Sequence, residues 1–98
     1  MNITKTKDNG TLTIALEGRL DTMTAPQLEE EIRDSIEGTE LLVFDLEKLE
    51  YMSSAGLRVL LSAQKQMAES GAMKVTHVNE IIMEIFEVTG FVDILTIE

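Results

Sequence analysis

The chain has 98 residues, enough for a single core. Its 8 Lys and Arg against 18 Asp and Glu leave a net charge of −10 spread along the whole length, which argues against nucleic acid and anionic lipid as partners. The absence of Cys and the single His exclude disulfides, thiolate nucleophiles, Cys-based zinc sites and conventional His-cluster metal sites. No apolar run reaches the ~18 residues of a transmembrane helix, and polar residues follow Met1 where a signal peptide would be apolar. The expectation is one soluble, cytoplasmic domain over residues 1–98, without repeats or linkers.

Ile3–Lys7 reads as a first strand. Asp8-Asn9-Gly10 is the strongest turn in the chain, with Asn9-Gly10 suited to the positive φ angles of a type I′ hairpin. Thr11–Glu17 alternates, with Leu12, Ile14 and Leu16 on one side, and so forms the second hairpin strand. Gly18-Arg19-Leu20-Asp21 is expected to be a loop. Thr24 is placed as an N-cap with Gln27 as its capping-box partner, and Pro26 fits the first turn. Leu28, Ile32 and Ile36 then line one face of a helix whose other side is acidic, and Gly38 marks the stop.

Leu41-Leu42-Val43-Phe44 is apolar without alternation, which predicts a central strand covered on both faces. A short extended piece around Glu50–Met52 leads into Ser53-Ser54-Ala55-Gly56. From there to Ser70 a helix carries Leu57, Val59, Leu60, Leu61, Ala63, Met67 and Ala68, and Gly71 ends it. Met73–Val78 is a further strand. Asn79 caps a short helix through Val88 with Gly90 after it, and Phe91 and Ile94–Ile97 make a closing strand. The order ββαβ(β)αβαβ implies an α/β fold with right-handed crossovers and a mixed, mostly parallel β-sheet with three helices.

The strand-to-helix handover at Ser53 and Ser54 is the most informative segment, and its chemistry allows three readings. A hydroxyl there can cap the helix, a contribution of about 1 kcal/mol. A nucleophile is a weaker reading, because G-x-S-x-G is absent and nothing marks His77 as a base. A phosphoacceptor is the third, since a phosphate at a helix N-terminus meets free N–H donors and the positive end of the dipole.

The segment from Phe44-Asp45-Leu46 through Leu49-Glu50-Tyr51-Met52-Ser53-Ser54-Ala55-Gly56-Leu57-Arg58-Val59-Leu60-Leu61 resembles the signature of STAS domains of the anti-sigma factor antagonist (anti-anti-sigma factor) type. Leu16-Glu17-Gly18-Arg19-Leu20-Asp21 is similar to the same family's Gly-x-Leu-Asp loop, and Ile85-Phe86-Glu87-Val88-Thr89-Gly90-Phe91 to its third-helix ending. The three blocks lie in order across almost the whole chain. The resemblance implies a partner switch, in which the unphosphorylated protein binds an anti-sigma factor that is also a serine kinase and so frees a sigma factor. It further implies phosphorylation at the start of the second helix, on Ser54 with Ser53 in reserve, and a PP2C-type phosphatase that removes the phosphate. The implied docking face comprises Gly18, Arg19, Leu20 and Asp21 with Met52, Ser53, Ser54, Ala55, Gly56, Leu57 and Arg58. Two departures stand out. Ser53 occupies a position where many members carry Asp, and the chain stops at Glu98 where many add a fourth helix.

The remaining candidates are assigned structural roles. His77 shares alternation parity with Met73 and Val75 and is expected to pack inward; Met52, Met67 and Met83 read as core fillers. Glu29-Glu30-Glu31 with Arg33-Asp34 reads as a solvated helix face. Asp21, Asp45 and the serines lack the lysine and glycines of a nucleotide site, so no cofactor is expected on this chain; ATP and magnesium belong to the kinase. Arg58, in a first turn where the dipole disfavours it, is expected to pair with Asp21 or with a phosphate on Ser54. A constitutive STAS scaffold subunit of a transport or stress complex is the alternative function, and a Ser54–His77 hydrolase the remote one.

Overall fold

A computed structural model describes all residues, Met1–Glu98. Strand β1 (Asn2–Asp8) and strand β2 (Thr11–Leu20) form the expected hairpin, with Asn9 at φ 49° and Gly10 at φ 83°. Helix α1 (Ala25–Ser35), strand β3 (Leu41–Met52), helix α2 (Ser54–Ser70), strand β4 (Ala72–Thr76) and helix α3 (Glu80–Thr89) follow. The four-stranded sheet runs β1-β2-β3-β4, antiparallel in the first pair and parallel in the other two. It is the mixed, mostly parallel α/β arrangement that the chain order implies.

One side of the sheet builds the core. Leu12, Ile14 and Leu16 from β2, Leu42, Phe44 and Leu46 from β3, and Met73 and Val75 from β4 meet Leu28 and Ile32 of α1, Leu60, Ala63 and Met67 of α2, and Ile82 and Phe86 of α3. Full burial of each of these side chains larger than Ala contributes about 1.5–3 kcal/mol. The opposite face carries Thr11, Thr13, Ala15, Asp45, Lys74 and Thr76, all half-exposed, so the central strand is covered on one side and not on two. Val43 is buried on that open face by its strand neighbours and lies outside the core cluster.

β1 also presents Lys5 and Lys7 toward the helix side, but at the sheet edge. Lys5 Nζ reaches Ser35 Oγ (2.7 Å) and Glu31 Oε2 (2.6 Å), and Lys7 Nζ reaches the Glu37 carbonyl (2.8 Å). These cations satisfy and offset the negative C-terminal end of α1. They also charge an edge strand that would otherwise invite pairing.

Three boundaries differ from expectation. Gly18-Arg19-Leu20 is not a loop: it completes β2, paired through to Met52. The piece around Glu50–Met52 is not a separate strand but the end of β3. Both differences come from β-bulges, because Ala15 pairs Asp45 while Glu17 pairs Lys48, and Gly18 pairs Leu49 while Arg19 pairs Tyr51. Each step inserts one extra residue into β3, so its inward positions Leu46, Leu49 and Met52 fall three apart and mask the strand period. Finally, the closing strand shrinks to a 3₁₀ turn over Phe91–Asp93 and a single parallel bridge of Ile97 to Val75.

Candidate functional site

β3 hands over to α2 through Ser53, whose backbone is extended (φ −90°, ψ 177°). Its N–H donates to the Leu20 carbonyl (2.8 Å), and its own carbonyl accepts the first helical bond from the Leu57 N–H (3.0 Å). The serine cap, one of the three readings the sequence allows here, is not made: no side chain caps α2, and Ser53 Oγ is buried without a hydrogen-bond partner. Ser54, the first residue of the helix, is exposed. The first-turn N–H groups of α2 thus lack a side-chain acceptor, at the positive end of a 17-residue helix.

The parallel register of β2 and β3 sets Leu20 beside Met52, which brings the Gly18–Asp21 segment next to the serines. Asp21 orders the turn that follows. Its Oδ1 accepts from the Met23 N–H (3.0 Å) and the Thr24 N–H (3.2 Å). The expected Thr24–Gln27 capping box is absent. Thr24 Oγ1 instead accepts from the Asp21 N–H (2.9 Å) and donates to the Arg19 carbonyl (2.8 Å), while the Gln27 side chain turns to the Met1 carbonyl (3.5 Å). Arg19 lies with its guanidinium 4.5 Å from the centre of the Tyr51 ring and its Nε 3.9 Å from Asp21 Oδ2. Asp21 therefore pairs with Arg19 and not with Arg58, which is exposed and makes no ion pair.

The eleven residues singled out from sequence divide by exposure. Arg19, Ser54 and Arg58 face solvent; Gly18, Asp21, Ser53 and Ala55 are half-buried. Leu20, Met52, Gly56 and Leu57 are buried and form the floor beneath them. Gly56 is pressed onto that floor: a Cβ there would lie 2.6 Å from Leu20 Cγ and 3.0 Å from Met52 Cγ.

A groove of about 440 Å³ adjoins these residues and runs between the start of α2 and α3. Met52, Ser54 and Leu57 line one side, and Ile81, Ile85 and Val88 the other, with Tyr51 and Glu84 at its margins. Sequence reasoning placed Ile81 and Ile85 on the short third helix without separating its faces, and missed this surface. The available signal was composition: α3 carries Ile81, Ile82, Met83, Ile85, Phe86 and Val88 within 10 residues, more apolar side chains than one helix face can bury.

His77 departs most from expectation. β4 ends at Thr76, and His77 takes a left-handed φ of 56° that turns its ring outward onto the open side of the sheet. The ring Nδ1 lies 3.0 Å from Asp45 Oδ1, which also accepts from the Glu47 N–H (3.1 Å). Asp45, Glu47 and His77 bring their ligand atoms within 4.8 Å of one another. The β-bulge that follows Asp45 in β3 and the imidazole contact account for this grouping, and the ring pairs with Asp45, not with a serine.

A buried floor, an exposed serine at an uncapped helix start and an Asp-ordered turn beside it form one face. The family model described as the STAS domain matches residues 2–98. The chain belongs to the STAS domain family. Among STAS relatives, BtrV of Bordetella bronchiseptica, provisionally named an anti-sigma factor antagonist, is 35% identical over 99% of this chain and 85% of its own length. The anti-sigma-B factor antagonist of Listeria monocytogenes is 33% identical over 100% of this chain and 90% of its own length. The STAS fold is shared with the anti-sigma factor antagonist SpoIIAA in its unphosphorylated form, with a TM-score of 0.84 at 19% identity over 99% of this chain and 88% of that one. The phosphorylated form of the Bacillus protein gives a TM-score of 0.77 at 19% identity over 99% and 91%. No helix of this STAS domain is long and apolar enough to cross a membrane.

Proposed function

We propose that this chain is a non-enzymatic, cytoplasmic anti-sigma factor antagonist controlled by phosphorylation of Ser54. Unphosphorylated, it binds an anti-sigma factor with serine kinase activity and releases a sigma factor; a PP2C-type phosphatase restores that state. The carrying observation is the exposed Ser54 hydroxyl at the uncapped start of α2, in a family whose named relatives are anti-sigma factor antagonists. Burial of the neighbouring hydroxyl supports Ser54 over Ser53 as acceptor, because a kinase must reach the oxygen it modifies.

The fold can accept the phosphate without rearranging. Free first-turn N–H groups and the helix dipole favour a dianion at that place. The consequence falls on the partner, which would have to desolvate about two negative charges at the contact, a cost that can reach several kcal/mol. Gly18–Asp21 and Ala55–Arg58 form the docking face around the serine, with Arg19 and Arg58 as its exposed cations.

Intact-mass spectrometry of protein from its own cells, with fragmentation, tests the reading directly. One phosphate on Ser54 is expected, with loss of anti-sigma factor binding in Ser54→Asp and its retention in Ser54→Ala. A complex indifferent to Ser54→Asp, with no phosphate under any growth or stress condition, would replace the switch with a constitutive scaffold.

A further inference from the structure

The groove between α2 and α3 extends the candidate face onto a helix that the serine switch alone does not require. Ile81 and Val88 are 59% and 80% exposed, and with Ile85 they stand at the i, i+4, i+7 spacing of one helix stripe. They are not the stripe that anchors α3, which is Ile82 and Phe86, both fully buried. Next to the exposed stripe runs a second one, Glu80, Glu84 and Glu87, and none of these three has an ion-pair partner. Some acidic side chains elsewhere have cations, as Glu31 has Lys5 and Glu29 has Arg33, although most carboxylates of this chain of net charge −10 are unpaired. No Lys or Arg follows Lys74 in the chain, so α3 presents an apolar row edged by uncompensated negative charge.

We infer that this groove receives an amphipathic segment of the partner protein, with apolar side chains seated against Ile81, Ile85 and Val88 and Lys or Arg set against Glu84 and Glu87. The inference rests on the proposed antagonist function and specifies the chemistry of its partner. An apolar row with spacing of this kind is what a helix-in-groove contact reads, and the acidic edge sets orientation and selects against acidic partners. The placement of Ser54 on the wall of the same groove links the contact to the switch. A phosphate there would put a dianion beside the position of an apolar side chain.

The test uses the full chain, labelled with ¹⁵N, and three synthetic helical peptides of roughly 18 residues. The first carries a Leu row flanked by Lys, the second the same row flanked by Glu, and the third the Lys flanks with Leu replaced by Ser. The Lys-flanked Leu peptide is expected to shift the amides of Leu57, Ile81, Ile85 and Val88, and to bind at least about tenfold more tightly than either other peptide. Ile81→Asp with Val88→Asp should abolish this binding with the melting temperature kept, since both side chains are exposed. Glu84→Lys with Glu87→Lys should reverse the preference toward the Glu-flanked peptide, which a merely greasy patch would not do. Equal binding of the Lys and Glu peptides, shifts confined to the open sheet face, or no saturable shift would each overturn the proposal. So would a concentration-dependent dimer of the free protein that Val88→Asp dissolves, because the occupant would then be a second copy. Phosphate mapping separates the two readings. The groove stands if Ser54 is never phosphorylated yet the peptides behave as described, and the switch stands in the converse case.

Discussion

The two helices that follow the last two parallel strands begin with nearly the same backbone and opposite polar chemistry. Ser53 and Asn79 are both extended, at φ −90°, ψ 177° and φ −79°, ψ 173°. Asn79 uses everything it has: its Oδ1 accepts from the Ile82 N–H (2.9 Å), and its Nδ2 donates to the Leu49 carbonyl (2.8 Å) in the bulged part of β3. Ser53 uses only its backbone. Its hydroxyl is idle and buried, and the start of α2 is held by the close approach of Gly56 to Leu20 and Met52. One helix start is fastened by hydrogen bonds, the other by shape. A start fastened by shape leaves its N–H donors unclaimed by side chains and its neighbouring hydroxyl, Ser54, facing outward.

If packing is what holds α2, the largest stability effect at either helix start should come from Gly56→Ala. The added methyl meets side chains that are already buried, and overpacking of this kind costs about 1–3 kcal/mol; we expect the upper end, read as a loss in urea-unfolding free energy. A cost below about 0.5 kcal/mol would mean that the α2 start is loose and that the contrast is misdrawn. Asn79→Ala comes next. It removes a cap and strips the Leu49 carbonyl of its donor, for about 1–2 kcal/mol by the same measurement. Ser54→Asp should move stability in the other direction, by about 0.3–1 kcal/mol, because a carboxylate at the first helical position favours the dipole. Thermal melts at low and high salt would check this: a gain that persists in high salt would not be electrostatic.

The same contrast explains what could be read from the chain. Asn79 and its helix were legible because an Asn before an apolar run, with Glu80 after it, matches the cap that the structure makes. The hairpin was legible because Asn9-Gly10 supplies two positive φ angles. The serine segment was located by its place between a strand and a helix, but its sequence left three readings open, and the cap among them is not made: a hydroxyl in the right position is not a cap until its rotamer faces the N–H groups. The end of β2 was obscured by tertiary effects. Gly18 and Asp21 are turn residues by propensity, and only pairing with a bulged β3 holds Gly18, at φ 106°, within a strand. The position of His77 failed for a related reason, since alternation fixes a side only while the strand continues, and β4 stops one residue earlier. Composition shows that α3 has more apolar side chains than one face can bury, but it does not tell the exposed Ile81 from the buried Ile82, so the place of the groove stayed hidden.

The smallest expected effect is the most discriminating. Ser53→Ala removes a hydroxyl that makes no bond, from a place where its oxygen is buried. If that geometry holds, the substitution should be neutral or stabilising by up to about 1 kcal/mol, because an unpaired buried polar group is itself a cost. Ala also keeps the helix start free of new volume, so packing against Leu20 and Met52 is unchanged. A loss of about 1 kcal/mol or more in urea unfolding would instead report a working N-cap. The hydroxyl would then be occupied, α2 and α3 would start alike, and a phosphate on Ser54 would have to compete with Ser53 for the same first-turn donors.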